Sequence, residues 1–223
     1  MQNFLNKMGA KVKGAGSNQI EIEGVKSLKD VIYNIMPDRI ETGTFLCMAA
    51  MTNGNILLKN ANFEDIIPVI EKLKESGCKL KIEKNQIEIQ GPKRLKSVDI
   101  KTMPYPGFPT DMQSIFATAL TTARGTSVII ENIFENRYRH VRELCRLGAD
   151  IMTEGKVAVI KGVETLTGAC VCAADLRAGT ALAVAGLAAQ GSTTIENVCL
   201  IDRGWQDMEE KLRSLGAEIE RES

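Results

Sequence analysis

A short phrase that ends a helix is written four times along this chain. NKMGAKV, KESGCKL, CRLGADI and RSLGAEI carry their glycines at Gly9, Gly77, Gly148 and Gly216, at intervals of 68, 71 and 68 residues. A period of that length constrains the fold more than any composition does. Each period is one supersecondary unit that must bury its apolar face against its neighbours.

Each of the first three glycines is followed by two short alternating runs around a turn. These are KVKGAGSNQIEIEGVKSL, KLKIEKNQIEIQGPKRL and DIMTEGKVAVIKGVETL, and the alternation predicts two-stranded hairpins. Gly14-Ala15-Gly16 reads as the turn of the first. A second element recurs between them: DRIETGTFLCMAAMTNGNILLKNAN, DMQSIFATALTTARGTSVIIENIF and DLRAGTALAVAGLAAQGSTTIENVCL. Each starts at an aspartate (Asp38, Asp111, Asp175), runs through a helix of Ala, Thr, Leu and Met, and breaks at Gly54, Gly125 or Gly191. Each then enters a strand that ends near Asn60, Asn132 or Asn197. Helices apolar on every side are buried on every side, whereas the alternate helices, such as DIIPVIEKLKESG and WQDMEEKLRSLG, are amphipathic.

The unit is therefore βαβαββ, and the expected fold class is an α/β inside-out barrel of three such units with pseudo-threefold symmetry. Three buried helices meet at its centre. The units are placed at 25–95, 96–166 and 167–223. Residues 1–24 read as the remnant of a preceding domain's last unit, and the third unit, ending GAEIERES, reads as one strand short. The strand at 19–23 is a candidate to fill that vacancy.

Charge and cysteine content narrow the function. Lys plus Arg and Asp plus Glu both number 28, which argues against wholesale nucleic-acid binding. The absence of a signal segment and of an apolar run near ~20 residues argues against export and membrane insertion and for a cytoplasmic protein. Cys47, Cys78, Cys145, Cys170, Cys172 and Cys199 show no metal-ligand spacing and read as buried reduced thiols, with Cys170 and Cys172 on one face of a strand.

Candidate chemistry gathers at the heads of the buried helices. Asp38 and Asp175 are expected helix caps. At Asp111, in GFPTDMQ, Thr110 offers an alternative cap that would leave the carboxylate free to act as a base. Arg39, Arg137, Arg177 and Arg203 recur at expected strand-to-helix junctions. They either pair locally with the neighbouring acid or form one anion-binding face. His140, the only histidine, reads as part of a solvated basic helix start, beside Arg137, Arg139 and Arg142.

PDRIETGTFL, FPTDMQ, IFENRYRHVREL, ADLRAGTAL and IDRGW, in that order and spacing, resemble the enolpyruvyl transferase family. The resemblance spans essentially the whole chain. It implies transfer of enolpyruvate from phosphoenolpyruvate to the 3-hydroxyl of UDP-N-acetylglucosamine in peptidoglycan synthesis, with no cofactor and no metal. It also implies that the chain is the C-terminal portion of an enzyme whose cleft needs an N-terminal domain as partner. That domain carries a lysine-asparagine pair, a reactive cysteine loop and further arginines with no counterpart here. By resemblance, Asp111 takes the hydroxyl proton, and Arg203 lies toward phosphoenolpyruvate. Ile133 offers a backbone contact to the sugar nucleotide, and Arg137, Arg177, Arg39 and Glu41 line the cleft. The chain alone is then expected to be inactive or nearly so. A non-catalytic nucleotide-sugar-binding module and a truncated remnant are the rival readings.

Overall fold

The computed structural model of the chain describes residues 1–222. It divides into two compact units, Met1–Pro37 and the remainder from Asp38.

The first unit is a helix and a hairpin. Helix α1 (Gln2–Lys7) stops at Gly9, whose φ of +102° suits a residue without a Cβ. Strands β1 (Lys11–Lys13) and β2 (Glu21–Glu23) pair antiparallel. The Asn6 amide locks the hairpin to the helix: Val12 N–H donates to its Oδ1 at 2.8 Å, and its Nδ2 donates to the Val12 carbonyl at 2.7 Å. Within the chain, strand β2 bonds only to β1, so the candidate pairing of residues 19–23 with the third unit is not formed. The leading strand expected between residue 25 and Asp38 is also not formed. No ladder partner lies beside that stretch, and Val25, Leu28, Ile32, Ile35 and Met36 stand exposed. A lone strand leaves its backbone groups unpaired and does not persist.

The second unit runs α2 (Arg39–Met51), β3 (Asn55–Lys59), α3 (Ile67–Glu75), β4 (Lys79–Glu83), β5 (Gln86–Gln90), then β6 (Ile100–Lys101), α4 (Gln113–Leu120), β7 (Thr126–Ile130), α5 (Val141–Arg146), β8 (Asp150–Glu154), β9 (Val157–Lys161), then β10 (Cys170–Cys172), α6 (Leu176–Ala188), β11 (Thr194–Glu196), α7 (Cys199–Asp202) and α8 (Met208–Ser214). The middle stretch carries the full βαβαββ order. Its sheet is β6-β7-β9-β8, with β6 and β7 parallel and the hairpin antiparallel. The sheet β3-β5-β4 reproduces its last three positions, and the parallel pair β10-β11 its first two.

The final stretch is shorter than the sequence suggested. No strand follows α8 up to residue 222, because the tail is tied to helices instead. Arg213 donates from Nε and Nη2 to the Ile219 carbonyl. Arg221 grips Asp202 with both Nη atoms at 3.0 and 2.8 Å, and Glu209 through Nε at 2.7 Å.

Helices α2, α4 and α6 pack on one another, and each is buried over most of its length. Their threonines solve the problem of burying hydroxyls. Thr44, Thr118 and Thr180 donate to carbonyls four residues back, at 2.7, 2.9 and 2.8 Å. Small residues let the elements approach. A Cβ on Gly43 would fall 2.6 Å from Ile66, and one on Gly179 the same distance from Ile201. The repeat glycines Gly77, Gly148 and Gly216 all sit at positive φ (+99°, +90°, +95°) and end α3, α5 and α8.

The hairpins close against the helix ends by one contact used twice: Gly91 N–H donates to the Gly54 carbonyl, and Gly162 N–H to the Gly125 carbonyl, at 2.9 and 3.0 Å. A Cβ on Gly162 would stand 1.7 Å from the Ala123 carbonyl oxygen, a backbone atom that cannot rotate away. Gly162→Ala is therefore expected to lower the unfolding free energy by about 2 kcal/mol or more, measured by urea titration. A loss below about 0.5 kcal/mol would show that the two segments are not held this close.

Candidate functional site

The heads of the three buried helices begin differently. Asp38 caps α2 by accepting from Ile40 N–H at 2.7 Å, and Asp175 caps α6 by accepting from Ala178 N–H at 2.8 Å, as their sequences suggest. Asp111 caps nothing. The chain enters α4 through a 3-10 turn, Thr110–Met112, which has no side-chain cap. Thr110 does not take over that job either; its hydroxyl donates to Glu131 Oε2 at 2.9 Å.

The Asp111 carboxylate is instead held by two arginines from distant parts of the chain. Arg137 Nη2 donates to Oδ1 and Arg177 Nη2 to Oδ2, each at 2.9 Å. Arg137 precedes α5, and Arg177 is the second residue of α6. The Asp111 side chain keeps 38% of its surface exposed, while those of Arg137 and Arg177 keep 10% and 20%. Each carboxylate oxygen spends one acceptor position on an arginine and retains another toward solvent.

Arg137 has two further fixings. Its Nε donates to Thr110 Oγ1 at 3.2 Å, and its guanidinium lies 4.4 Å from the centre of the Phe134 ring. Ser114 Oγ donates to the Arg177 carbonyl at 3.1 Å, which joins the start of α4 to that of α6. Arg39, the first residue of α2, lines a cavity of about 170 Å³ together with Tyr105, Thr110, Asp111 and Ile133. The starts of all three buried helices thus meet at one face.

The structure brings Asp111, Arg137, Arg177, Arg39 and Ile133 together. Arg39, Arg137, Arg177 and Arg203 do not pair with the acids beside them in sequence: the neighbouring Asp38 and Asp175 cap helices, and Asp202 is bound to Arg221. Glu41 points elsewhere, accepting from Lys211 Nζ at 2.7 Å. Arg203 is exposed and follows α7 rather than a strand, so its expected strand-to-helix position is corrected. Among the described residues it makes no side-chain hydrogen bond and does not line the cavity. No group of three or more potential metal ligands gathers among the described residues.

Two sequence expectations give way. Of the six cysteines only Cys47 and Cys78 are buried, and burial pushes their thiols well above the usual range. Cys145, Cys170 and Cys199 are exposed because each lies on the outward side of a short element at the surface. Cys170 and Cys172 do share one strand face, with Val171 buried opposite.

His140 is not solvated but 1% exposed. Its Nδ1 lies 3.1 Å from the Arg137 carbonyl, so Nδ1 carries the proton and donates. Burial pushes its pKa down to about 4, against the opposing pull of the Arg137 carbonyl and Asp175. The basic neighbours in sequence hid this; alternate residues of a tight turn face opposite ways.

The residue missed altogether is Glu131, which is buried and touches four donors. Its only sequence signal was a carboxylate ending an apolar strand, TSVIIE.

The His140 environment has a pH signature. Between about 4 and 6.5 the unfolded chain binds a proton that the folded imidazole refuses. Stability therefore falls as pH drops through that window, by on the order of 3 kcal/mol in total. Urea titrations across the window should show this slope in the natural chain and a flattened one in His140→Asn. An unchanged slope in the variant would assign the acid sensitivity to other groups.

Comparison with known proteins places this geometry. Residues 1–212 match the EPSP synthase (3-phosphoshikimate 1-carboxyvinyltransferase) family. The UDP-N-acetylglucosamine 1-carboxyvinyltransferase 1 of Caldanaerobacter subterraneus subsp. tengcongensis is 56% identical over 221 residues, which are 99% of this chain and 53% of that protein. The UDP-N-acetylglucosamine 1-carboxyvinyltransferase of Desulfofundulus thermocisternus is 54% identical over 98% of this chain and 90% of the relative's sequence. Among solved structures, the enolpyruvyl transferase NikO from Streptomyces tendae superposes with a TM-score of 0.88 at 26% identity, over 98% of this chain and 53% of that one. EPSP synthase from Acinetobacter baumannii shares the fold, with a TM-score of 0.76 at 21% identity over 100% and 55%. The chain spans about half the length of most of these relatives. With its sequence matched end to end at such identity, it belongs to the EPSP synthase family and, within it, to the UDP-N-acetylglucosamine 1-carboxyvinyltransferases.

Proposed function

We propose that this chain supplies one wall of the cleft in which enolpyruvate passes from phosphoenolpyruvate to the 3-hydroxyl of UDP-N-acetylglucosamine, a cytoplasmic step of peptidoglycan synthesis. On this reading residues 25–223 form the second domain, an inside-out barrel of three units, and residues 1–24 close the preceding one. The observation that carries the proposal is the Asp111 carboxylate, held between Arg137 and Arg177 and still open to solvent beside Ile133.

The two guanidinia fix the plane of the carboxylate, and the exposed lone pairs face the space a sugar hydroxyl would occupy. Asp111 accepts the hydroxyl proton as the oxygen bonds to the enol carbon of phosphoenolpyruvate. Phosphate then leaves that carbon while the carbon protonated in the addition gives up a proton, which restores the carbon–carbon double bond of the enolpyruvyl product. Arg177, Arg39 and the exposed Arg203 present positive charge toward an anionic substrate. Glu41, a cleft residue by resemblance, is paired with Lys211 and takes no part at the Asp111 carboxylate. The acid that must protonate the other enol carbon, and the rest of the phosphate clamp, belong to the partner domain of the same enzyme. Charge stabilisation from both walls is required, so this chain alone is expected to show no detectable turnover.

Heat unfolding with and without UDP-N-acetylglucosamine tests the binding wall. A ligand that binds only the folded form raises stability by about 2.7 kcal/mol at a hundredfold excess over Kd. A raised midpoint is expected for the natural chain. Turnover is expected when a chain supplying the first domain is added, and Asp111→Asn in that mixture should lower kcat about 100-fold or more while sugar-nucleotide binding persists. Strong turnover by the lone chain, or full activity of the Asp111→Asn mixture, would sink the proposal.

A further inference from the structure

We propose that Glu131 is the positioning residue of this site, orienting Arg137 and the 132–134 loop through two hydroxyl relays. What the positioned groups act on rests on the reading above; the positioning itself does not.

Glu131 follows β7 and is 2% exposed. Its Oε1 accepts from Thr102 Oγ1 at 2.8 Å, Ile133 N–H at 2.8 Å and Phe134 N–H at 3.0 Å, and its Oε2 accepts from Thr110 Oγ1 at 2.9 Å. Among the described residues its carboxylate makes no ion pair with a lysine, arginine or histidine. A buried carboxylate answered only by hydroxyl and amide donors is an expensive way to fill space. What it does provide is direction.

The Glu131 carboxylate oxygens accept all four of these bonds. Both threonine hydroxyls must therefore turn their protons toward the carboxylate, which commits their lone pairs elsewhere. The Thr102 oxygen then accepts Asn132 N–H at 2.8 Å, and the Thr110 oxygen accepts Arg137 Nε–H at 3.2 Å. The amides of Asn132, Ile133 and Phe134 are all consumed by this cluster, two directly and one through Thr102. Phe134 is the ring on which the Arg137 guanidinium rests. Of the three contacts fixing that guanidinium, the two that do not involve Asp111 thus depend on Glu131. Threonine and arginine alone would not fix the arrangement, since a free hydroxyl rotates to suit any neighbour.

The test reads the arginine directly. Hydrogen exchange at Arg137 Nε–H is followed by nitrogen-15 NMR in the natural chain, in Glu131→Gln and in Thr110→Val, both close to isosteric. Arg94 Nε–H, which donates to the Thr122 carbonyl at 2.9 Å, is the internal reference. Exchange at Arg137 is expected to speed up by about 10-fold or more in both variants, with Arg94 unchanged. The Ile133 and Phe134 amides should follow Arg137 in Glu131→Gln only.

Unchanged Arg137 exchange in Glu131→Gln, or in Thr110→Val, would overturn the proposal. So would equal acceleration at Arg94, which would mean general loosening. If Glu131→Gln does not fold, Glu131→Asp, which keeps the charge but shortens the reach to Thr110, takes its place with the same expectation at Arg137. Because no ligand is present, failure of the sugar nucleotide to bind would count against the functional reading and not against the relay.

Discussion

The mutual burial of α2, α4 and α6 is the constraint from which the rest follows. Helices packed on all sides cannot leave polar groups unanswered, so their threonines bond back to their own backbones and their glycines admit neighbours at short range. Only their ends escape. Because the three run from one face, their first residues become that face, and a loop from any unit can reach the same small area. The Asp111 clasp is the result: a carboxylate before one helix, an arginine in the first turn of another, and an arginine from the loop after β7.

Much of this was legible from the letters alone. The recurring glycine marks a chain reversal that side chains resist, and all four instances sit at positive φ. Hairpin alternation and the small-residue helices follow from elementary periodicity. Asp38 and Asp175 behave as caps because a carboxylate at a helix start has exposed N–H groups within reach. Asp111 behaves otherwise because it lies inside a proline-led 3-10 turn, Thr110–Met112, that runs straight into α4. The sequence could raise that difference but could not say where the freed carboxylate would go.

The misreadings share a cause. His140 and the exposed cysteines were judged by neighbours in sequence, and Glu131 was passed over, whereas their environments are made by residues far along the chain or by which way a turn happens to face. The absent strands have a different origin. A strand depends on a ladder partner, and alternation in VKSLKDVIYNI or AEIERES states only an aptitude for pairing. Where no partner lies alongside, the first stretch stays exposed, and the second is held by Arg213 of α8 on the Ile219 carbonyl and by its own Arg221 on Asp202 of α7 and Glu209 of α8.

The clasp also bears on cooperativity. Its carboxylate and two arginines are separated by 26 and 66 positions along the chain, and the arginine of α6 reaches Asp111 only when α6 is docked on α4. Local fraying of the last third would thus dissolve the site before the middle sheet melts. Conversely, any ligand gripping Asp111 draws its hold from both helices at once, and so acts as a staple across the core rather than a decoration on its surface.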